Sequence, residues 1–282
     1  MKQKRQTHSG FHHKHSLGQN FIEDEELLEQ LAALSLVGEE DCVLEIGPGL
    51  GALTKPLAKR ANRIVSLEID HTLIPLLSVT LEHFDNATVI QGDVMKTNLT
   101  ELVHEHFGDT ASLRVAANLP YYITTDVLTK LLRELPQAKS IAVMIQKEVG
   151  DKLLSVPKED GYGPLAIVCQ YYCDVRRALD VPAACFTPPP KVDSSFMVLT
   201  RRESPAYPVI SEANFHKLIK GVFAMRRKTL VNNLISCFPL DRNEATQAIE
   251  ASGLAAQVRA EELSIEQFCT LCNHLTSMIS TR

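Results

Sequence analysis

The segment Asn-Leu-Pro-Tyr-Tyr at residues 118–122 brings together an amide, a proline and two aromatic rings, directly after the largely apolar run 113–117. A turn after a buried strand needs Pro, Gly, Asn or Asp, but it gains nothing from two adjacent phenol rings. A strand-ending turn whose tyrosines lie in the core is the structural alternative. The combination of residue types favours a chemical role.

Each residue of the segment has a defined place in such a role. The side-chain oxygen of Asn118 and the backbone carbonyl of Leu119 can each accept one hydrogen of an adenine amino group, which draws its nitrogen toward a more nucleophilic geometry. Pro120 fixes the backbone so that the two acceptors converge. Tyr121 offers a flat face to an extruded base, whereas Tyr122 is expected to pack. The segment therefore predicts a clamp for a base amine.

A glycine-rich stretch, Leu-Glu-Ile-Gly-Pro-Gly-Leu-Gly-Ala-Leu-Thr at 44–54, lies between a strand-like run and a helix. Glycine in that place allows a tight turn and a close approach of the backbone to a ligand. The spacing of Gly47, Gly49 and Ala52 also satisfies a loose dinucleotide fingerprint. The stretch alone therefore leaves three interpretations: a nucleoside cofactor, a nicotinamide cofactor, or a plain turn.

Carboxylates at successive strand ends separate these interpretations. Glu45 precedes the first glycine, Glu68 ends the second strand, and Asp93 ends the third. Glu68 is placed to accept both ribose hydroxyls, and Asp93 can take the adenine amino group. Extra anions repel a pyrophosphate but favour the sulfonium and ammonium groups of S-adenosylmethionine, so the pattern predicts that cofactor. Helix capping by these acids is the alternative.

A second aromatic wall is predicted in the segment Ala-Ala-Cys-Phe-Thr-Pro-Pro-Pro-Lys-Val-Asp-Ser-Ser at 183–195. Three prolines make the segment stiff, so Phe186 can be held opposite Tyr121 to sandwich an extruded base. Lys191 is a candidate phosphate contact. A core phenylalanine at a strand crossover is the alternative for Phe186.

Charge is distributed unevenly along the 282 residues, whose formal net charge is −5. Residues 1–20 contain Lys14 and three other lysines or arginines but no acid, and a second basic cluster follows Lys220. Such asymmetry suits a protein that presents one positive face to a polyanion. The predicted RNA contacts outside the clamp are Lys14, Lys191, Arg226, Arg227 and Lys228.

Several function classes are disfavoured by composition. No apolar stretch approaches the roughly 20 residues of a membrane span and no signal core is present, so we expect a soluble, cytoplasmic protein. Seven cysteines show no disulfide framework. The pair Cys269 and Cys272 has C-x-x-C spacing, but no second pair accompanies it, so helix packing is expected rather than a metal site.

Strand-like and helix-like runs alternate from about residue 24 to residue 145, which predicts a parallel, doubly wound α/β sheet with ligands at the carboxyl ends of its strands. Two further strands are expected at 173–181 and 192–199, and residues 211–280 read as helical. The predicted division is a basic arm with the start of the cofactor site at 1–22, a methyltransferase domain at 23–203 and a helical domain at 209–282.

Seven segments together resemble the small-subunit ribosomal RNA adenine dimethyltransferases over nearly the whole chain. In the family's order they are LGQNFI (17–22), EIGPGLGALT (45–54), LEID (67–70), GD (92–93), NLPYYITT (118–125), FTPPPKVDSS (186–195) and RRKTLVNNL (226–234). One departure is His15 after Lys14, where the family often has a second basic residue.

The resemblance implies a class I methyltransferase domain followed by a small helical domain. It adds Asn20 and Ile22 to the cofactor site and uses the tyrosine of the clamp around the target base. The complete set of residues then expected beside S-adenosylmethionine is Asn20, Ile22, Gly47, Glu68, Asp93 and Asn118.

The implied reaction is N6,N6-dimethylation of two adjacent adenines near the 3′ end of 16S rRNA by a metal-independent monomer, within a 30S or pre-30S particle. A large-subunit rRNA adenine methyltransferase of the antibiotic-resistance type is the nearest rival, although RRKTLVNNL argues against it. A DNA adenine methyltransferase would need a target-recognition insertion, which is not apparent. A non-catalytic assembly or RNA-binding factor on the same fold is the rival from another class.

Overall fold

The computed structural model describes residues 20–109, 112–225 and 227–280. Within these ranges a seven-stranded sheet forms the centre of the molecule, in the order β4-β3-β2-β5-β6-β9-β7, and β1 and β8 form a separate two-stranded ribbon. The strands are β1 (Phe21–Ile22), β2 (Asp41–Ile46), β3 (Arg63–Glu68), β4 (Ala87–Gln91), β5 (Ser112–Asn118), β6 (Ser140–Gln146), β7 (Cys173–Val181), β8 (Phe186–Thr187) and β9 (Ser194–Arg201).

Helices connect the strands and complete the carboxyl-terminal part of the described chain. They are α1 (Glu25–Leu34), α2 (Thr54–Ala58), α3 (Ile74–Thr80), α4 (Leu99–Phe107), α5 (Thr124–Glu134), α6 (Lys147–Leu154), α7 (Pro164–Tyr172), α8 (Glu212–Val222), α9 (Leu230–Cys237), α10 (Arg242–Ala251) and α11 (Ile265–Ser280). Two short 3₁₀ turns lie at Ala183–Cys185 and Ala260–Glu262.

Strand β2 lies at the point where the sheet reverses its winding. All six of its residues are buried, as expected of a strand covered by helices on both faces. It pairs in parallel with β3 on one side and with β5 on the other. The connections from the ends of β2 and β5 therefore diverge, which opens a crevice where doubly wound folds bind ligands. The α/β, Rossmann-like methyltransferase fold predicted from the sequence is confirmed.

Helix α1 covers this crevice from one side. Asp24 caps its first turn by accepting hydrogen bonds from the backbone N–H groups of Glu26 and Leu27, as acceptor side chains do at this position. Leu28 and Leu31, one turn apart, are buried on the face turned to the sheet. The cap and the leucine spacing together fix where α1 begins and which face packs.

Helices α8 to α11 continue the apolar core that covers one face of the sheet. Tyr171 packs against Phe215 with ring centroids 4.3 Å apart, and the hydroxyl of Tyr162 donates to the carbonyl of Leu263 at 2.9 Å. The sheet residues and these helices belong to one cluster of buried side chains. A division into domains near residues 203–209 stays a prediction.

Most sequence-predicted elements are observed, with shifted ends. The last strand begins at Ser194 rather than Val192, because Asp193 binds the backbone N–H groups of Ala183 and Lys147 through its side chain and carbonyl. The cysteines 269 and 272 are buried, unbridged residues of α11, so the prediction of helix packing is confirmed. No helix of the described residues is long and apolar enough to cross a membrane.

Candidate active site

A cleft opens at the carboxyl ends of β2, β3 and β5, and its volume, counted out to bulk solvent, is about 950 Å³. Its walls combine apolar side chains with a few polar groups. The lining residues are Asn20, Phe21, Ile22, Leu28, Leu31, Glu45, Gly47, Pro48, Gly49, Ala52, Leu53, Glu68, Ile69, Asn118, Leu119, Pro120, Tyr121, Met144 and Phe196.

The glycine-rich turn forms the floor of this cleft. Gly47 and Gly49 have φ angles of +71° and +60°, which only glycine adopts readily. A Cβ atom on Gly49 would lie 2.6 Å from the ring of Phe21. The second glycine of the turn, Gly49, therefore lets the aromatic ring of Phe21 in β1 pack closely over the turn.

Glu68 ends β3 at the wall of the cleft, where the sequence predicted it. It is 4% exposed; its Oε2 accepts a hydrogen bond from the Gly49 N–H at 3.1 Å and its Oε1 from the Asp70 N–H at 2.8 Å. Burial raises the pKa of Glu68, and these backbone hydrogen bonds oppose the shift. The side chain is thus held rigidly, and its contact with ribose hydroxyls stays a prediction.

Glu45 is a site residue that the sequence reasoning did not assign to a contact. It is 2% exposed, and its Oε2 accepts hydrogen bonds from the hydroxyls of Thr54 and Ser66, each at 2.7 Å. Burial raises the pKa of Glu45 to about 7, against the effect of these two hydroxyls and with a contribution from Glu68. The available signal was a carboxylate inside a strand whose neighbours are apolar.

The clamp segment follows β5 at the mouth of the cleft. The Nδ2 group of Asn118 donates to the backbone carbonyl of Asn20 at 3.2 Å, which turns its Oδ1 away from that carbonyl. The N–H of Leu119 donates to the carbonyl of Met144 at 3.2 Å. Neither Asn118 Oδ1 nor the Leu119 carbonyl receives a hydrogen bond within the described ranges. Two acceptors are therefore available next to each other at this point.

Tyr121 forms the adjoining wall and is half-buried. Its hydroxyl is 2.9 Å from the Ser194 hydroxyl at the start of β9, and burial raises its pKa, so the ring is neutral and anchored at one end. Asn20 and Ile22, which only the family resemblance added, line the same cleft. Ile22 pairs with Phe186 in the ribbon of β1 and β8.

Comparisons with known proteins bear on what this arrangement is. The sequence profile of the ribosomal RNA adenine dimethylase family matches residues 10–277. The chain belongs to this family. A protein of Bacillus cytotoxicus named ribosomal RNA small subunit methyltransferase A is 44% identical over 269 residues, which cover 94% of this chain and 92% of the relative. The protein of that name from Bacillus pumilus is 42% identical over the same shares.

Solved structures of similar proteins share the fold. A dimethyladenosine transferase from Plasmodium falciparum matches with a TM-score of 0.74 and 24% identity, over 89% of this chain and 95% of that one. The 23S rRNA methyltransferase ErmE matches with a TM-score of 0.67 and 24% identity, over 91% of this chain and 100% of that one. Both neighbours are rRNA-modifying or dimethyladenosine-forming by name, but at this identity they support the fold alone.

Phe186 and Tyr122 differ in their burial. Phe186 is 3% exposed and packs in the apolar cluster that contains Ile22, its partner in the pairing of β8 with β1. It is not among the residues that line the cleft, and its stacking on an extruded base opposite Tyr121 stays a prediction. Tyr122, expected to pack, is 62% exposed.

The remaining predicted residues do not line the cleft or lie outside the described chain. Asp93 lies two residues after the end of β4, where its side chain accepts the Met95 N–H at 2.9 Å and lies 3.7 Å from Lys96; it does not line the cleft, and its contact with adenine stays a prediction. Lys191, Arg227 and Lys228 are exposed. Lys14 and Arg226 lie outside the described residues.

Proposed function

We propose that this protein transfers methyl groups from S-adenosylmethionine to N6 of two adjacent adenines near the 3′ end of 16S rRNA, giving N6,N6-dimethyladenosine at both. It acts as a cytoplasmic monomer on the rRNA within a 30S or pre-30S particle. The observation that carries the proposal is the pair of adjacent acceptors, Asn118 Oδ1 and the Leu119 carbonyl, at the mouth of an acid-walled cleft.

The cleft residues fit S-adenosylmethionine better than a dinucleotide. Its described lining contains Glu45 and Glu68 but no Lys, Arg or His, so a pyrophosphate would meet two buried carboxylates without a balancing cation. A cationic nucleoside gains from the same charges. The residues that would hold it are Asn20, Ile22, Gly47, Glu68 and Asn118. Bound S-adenosylmethionine would supply an electrophilic methyl group on positively charged sulfur.

The residues of the clamp act on the adenine amine by position. Asn118 Oδ1 and the Leu119 carbonyl each accept one N–H, which reduces delocalisation of the nitrogen lone pair into the ring. Pro120 and the hydrogen bond from Leu119 to Met144 keep the acceptors in place, so little orientational entropy is lost at reaction. The proton displaced after methylation leaves to one of these acceptors or to solvent, and no nucleophilic side chain takes part.

Basic residues outside the cleft serve the rRNA backbone. Lys191 is exposed in the loop that leads to Ser194, the partner of Tyr121. Arg227 and Lys228 are exposed just before α9. Contacts of such residues with phosphates add affinity that falls with salt and carry little base specificity.

The choice of the small subunit over the large one rests on sequence. Relatives at 42–44% identity carry the small-subunit name, whereas the similarity to the 23S rRNA methyltransferase is 24%. The segment 226–234 resembles the small-subunit enzymes as well. A role in subunit assembly beside catalysis is compatible with the same surfaces.

A methyl-transfer assay on isolated ribosomal subunits tests the proposal. Purified protein is incubated with labelled S-adenosylmethionine and either small or large subunits that lack the modification, and the labelled nucleoside and its position are determined. Asn118→Ala removes one of the two acceptors, and Asn62→Ala, at an exposed turn, is the matched control. Loss of one preorganised polar contact in a reaction centre costs roughly 10²–10³ in rate.

Dimethyladenosine at paired adenines of the small subunit, formed by wild type and Asn62→Ala but reduced at least 100-fold in Asn118→Ala, is the expected result. Label in the large subunit instead would favour the antibiotic-resistance type. Tight binding to small subunits without any transfer would overturn the enzymatic proposal and favour an assembly factor.

A further inference from the structure

Glu45 has a hydrogen-bonding arrangement that leaves one of its oxygens to the cleft. Its two sequence neighbours in the strand, Leu44 and Ile46, are buried and apolar. The hydroxyls of Thr54 and Ser66 donate to the same oxygen, Oε2, each at 2.7 Å. Oε1 receives no hydrogen bond from the described residues, and Glu45 lines the cleft. A proton on this carboxyl would therefore be carried by the oxygen that the cleft can reach.

Among the described residues, the groups around Glu45 provide no positive charge. Strand β3 contributes Ser66, in register with Glu45, and Glu68 at its end; strand β5 contributes the neutral Ala116. Helix α2 contributes Thr54, and α1 contributes leucines. The other titratable groups on the cleft side are Asp70, which lies beside Glu68, and the neutral Tyr121. In the described part of the chain, neither Glu45 nor Glu68 forms a salt bridge with a basic side chain.

We propose that Glu45 is a positioning residue whose carboxyl holds a proton in the ligand-free protein and releases it when the cationic group of the methyl donor enters the cleft. This inference rests on the proposed function, since it takes the donor to be S-adenosylmethionine. A charged ligand thereby creates the anion that binds it, and an uncharged analogue meets a neutral, hydrogen-bonding wall.

The physical reason is the environment of the carboxylate with and without a cation. Two carboxylates that share a low-dielectric wall cannot both ionise cheaply, and burial favours the neutral form of each. Glu68 is stabilised as an anion by two backbone N–H groups, whereas Glu45 receives only hydroxyl donors. Glu45 is therefore the member of the pair that takes the proton. A positive charge within about 4–6 Å lowers the pKa of a carboxyl by about 1–3 units. The cation of the bound donor would therefore cause Glu45 to release its proton.

Titration calorimetry in buffers of different ionisation enthalpy measures the proton release directly. The ligands are S-adenosylmethionine, S-adenosylhomocysteine, which lacks the sulfonium charge, and 5′-methylthioadenosine, which has neither charge. The proteins are wild type, Glu45→Gln and the control Glu82→Gln, whose side chain is 59% exposed. The ammonium group of the ligand can also titrate, so the difference between wild type and Glu45→Gln isolates the contribution of Glu45.

Wild type and Glu82→Gln are expected to release about half a proton at pH 7 on binding S-adenosylmethionine, since a carboxyl with a pKa of about 7 is half protonated there. Glu45→Gln should release no proton from residue 45. It should bind S-adenosylmethionine about tenfold more weakly at pH 8, which corresponds to a pKa shift of about 1 unit, the smallest in the range of about 1–3 units. Its affinity for 5′-methylthioadenosine should match that of wild type. S-adenosylhomocysteine identifies the cation: equal release points to the ammonium group and reduced release to the sulfonium.

A shifted pH profile distinguishes this role from packing. Thr54→Val removes one donor to Oε2, so the pH at which S-adenosylmethionine binding changes should move upward, and Ser66→Ala should do the same if Thr54→Val folds poorly. Equal proton release by wild type and Glu45→Gln, or an unmoved pH profile in the donor variants, overturns the inference. Failure of wild type to bind S-adenosylmethionine at all would instead overturn the cofactor of the proposed function.

Discussion

The two ends of strand β2 each carry a buried carboxylate, but the two carboxylates have different partners and opposite pKa shifts. Asp41, at the amino end, is 6% exposed and Glu45, at the carboxyl end, is 2% exposed. Arg114 Nε lies 2.6 Å from Asp41, and Ser112 and the Gly38 N–H also donate to it. Burial alone would raise the pKa of Asp41, but the hydrogen bonds from Ser112 and Arg114 outweigh it and hold this pKa below its usual range.

Glu45 receives hydrogen bonds from two hydroxyls and has no basic partner within the described ranges, and burial raises its pKa to about 7. Asp41 and Glu45, four positions apart on one strand, are thus a carboxylate paired with a cation and a carboxylate that no basic side chain of the described residues compensates. An uncompensated carboxyl costs stability and is retained where a ligand gains from it. The comparison indicates that the amino end of the sheet stabilises the fold and that the carboxyl end binds a ligand.

Removal of the cation at the stabilising end should produce the largest change. Arg114→Met leaves Asp41 buried with its charge unpaired, and breaking a buried pair from one side costs about 3–5 kcal/mol. We expect urea denaturation at pH 7 to show a loss of about 3 kcal/mol, the lower end of that range, because the Arg114 side chain is 18% exposed. Affinity for S-adenosylmethionine of the folded fraction should not change.

Arg133→Met is the matched control, since Arg133 is 68% exposed and contacts Glu134 at 3.0 Å. Exposed pairs contribute about 0–1 kcal/mol. If Arg114→Met lost no more stability than Arg133→Met, the description of Asp41 and Arg114 as a stabilising pair would be wrong.

Glu45→Gln should change the free energy of unfolding in the opposite direction and stabilise the protein. The pKa of Glu45 rises from its ordinary value of 4.5 to about 7 on folding, so the folded state holds the proton more tightly. The contribution of Glu45 to the free energy of unfolding is fully present below the pKa that Glu45 has in the unfolded chain. It is lost as the pH rises through the pKa that Glu45 has in the folded protein. At about 1.4 kcal/mol for each unit, the loss is on the order of 3 kcal/mol between pH 4.5 and pH 8.

Unfolding of the ligand-free proteins at several pH values checks this. Glu45→Gln should be more stable than wild type at pH 8 by about 2–3 kcal/mol and close to it at pH 5. Asp41→Asn should instead be less stable than wild type at pH 8. If the difference in the free energy of unfolding between Glu45→Gln and wild type did not grow with pH, the proposed ionisation of Glu45 would be contradicted.

Gly49→Ala tests the close packing at the binding end. The added Cβ would lie 2.6 Å from the Phe21 ring at a residue with φ of +60°. Gly253→Ala has a similar backbone strain, with φ of +73°, but meets no atom within 4 Å. Strain of this kind costs about 1–2 kcal/mol, so both variants should lose that much stability by urea denaturation. Only Gly49→Ala should also weaken S-adenosylmethionine binding, because β1 must move. Equal affinity for S-adenosylmethionine in the two variants would show that the position of the Phe21 ring does not affect its binding.

The sheet and the cleft could be predicted because each depends on local patterns. Apolar runs that alternate with helical periodicity identify parallel strands, and the acids at their ends follow directly, which is why Glu68 and Asn118 were placed at the wall of the cleft. The two acceptors of the clamp were predicted from residue type. Asn118 and Leu119 both line the cleft, and their contact with an adenine amine stays a prediction.

Long-range pairing was beyond the reach of the same patterns. The ribbon of β1 and β8 joins residues more than 160 positions apart in the chain, Phe21 with Thr187 and Ile22 with Phe186, and no local signal specifies it. It turns Phe186 into the core and brings the Asn20 carbonyl to Asn118. The burial of Phe186 and the missed contribution of Asn20 therefore have one physical cause.

Replacement of Tyr122 should have the smallest effect on function. It tests whether the surface that binds rRNA extends beyond the cleft. It is 62% exposed and follows Tyr121 directly, and the nearby loop that leads to Ser194 carries the exposed Lys191. An aromatic ring beside a cation is the usual combination for holding a single-stranded nucleotide, and each stacked base contributes about 1–3 kcal/mol.

We therefore expect Tyr122→Ala to leave stability and S-adenosylmethionine affinity unchanged but to raise the KM for small subunits about fivefold, which corresponds to about 1 kcal/mol. Tyr207→Ala, at an exposed aromatic residue that does not line the cleft, should not raise it. In the proposed function the adenine next to the extruded one is itself a substrate, so Tyr122→Ala should also slow modification of the second adenine more than that of the first. Equal slowing of both adenines would mean that Tyr122 contacts the rRNA without holding the neighbouring base.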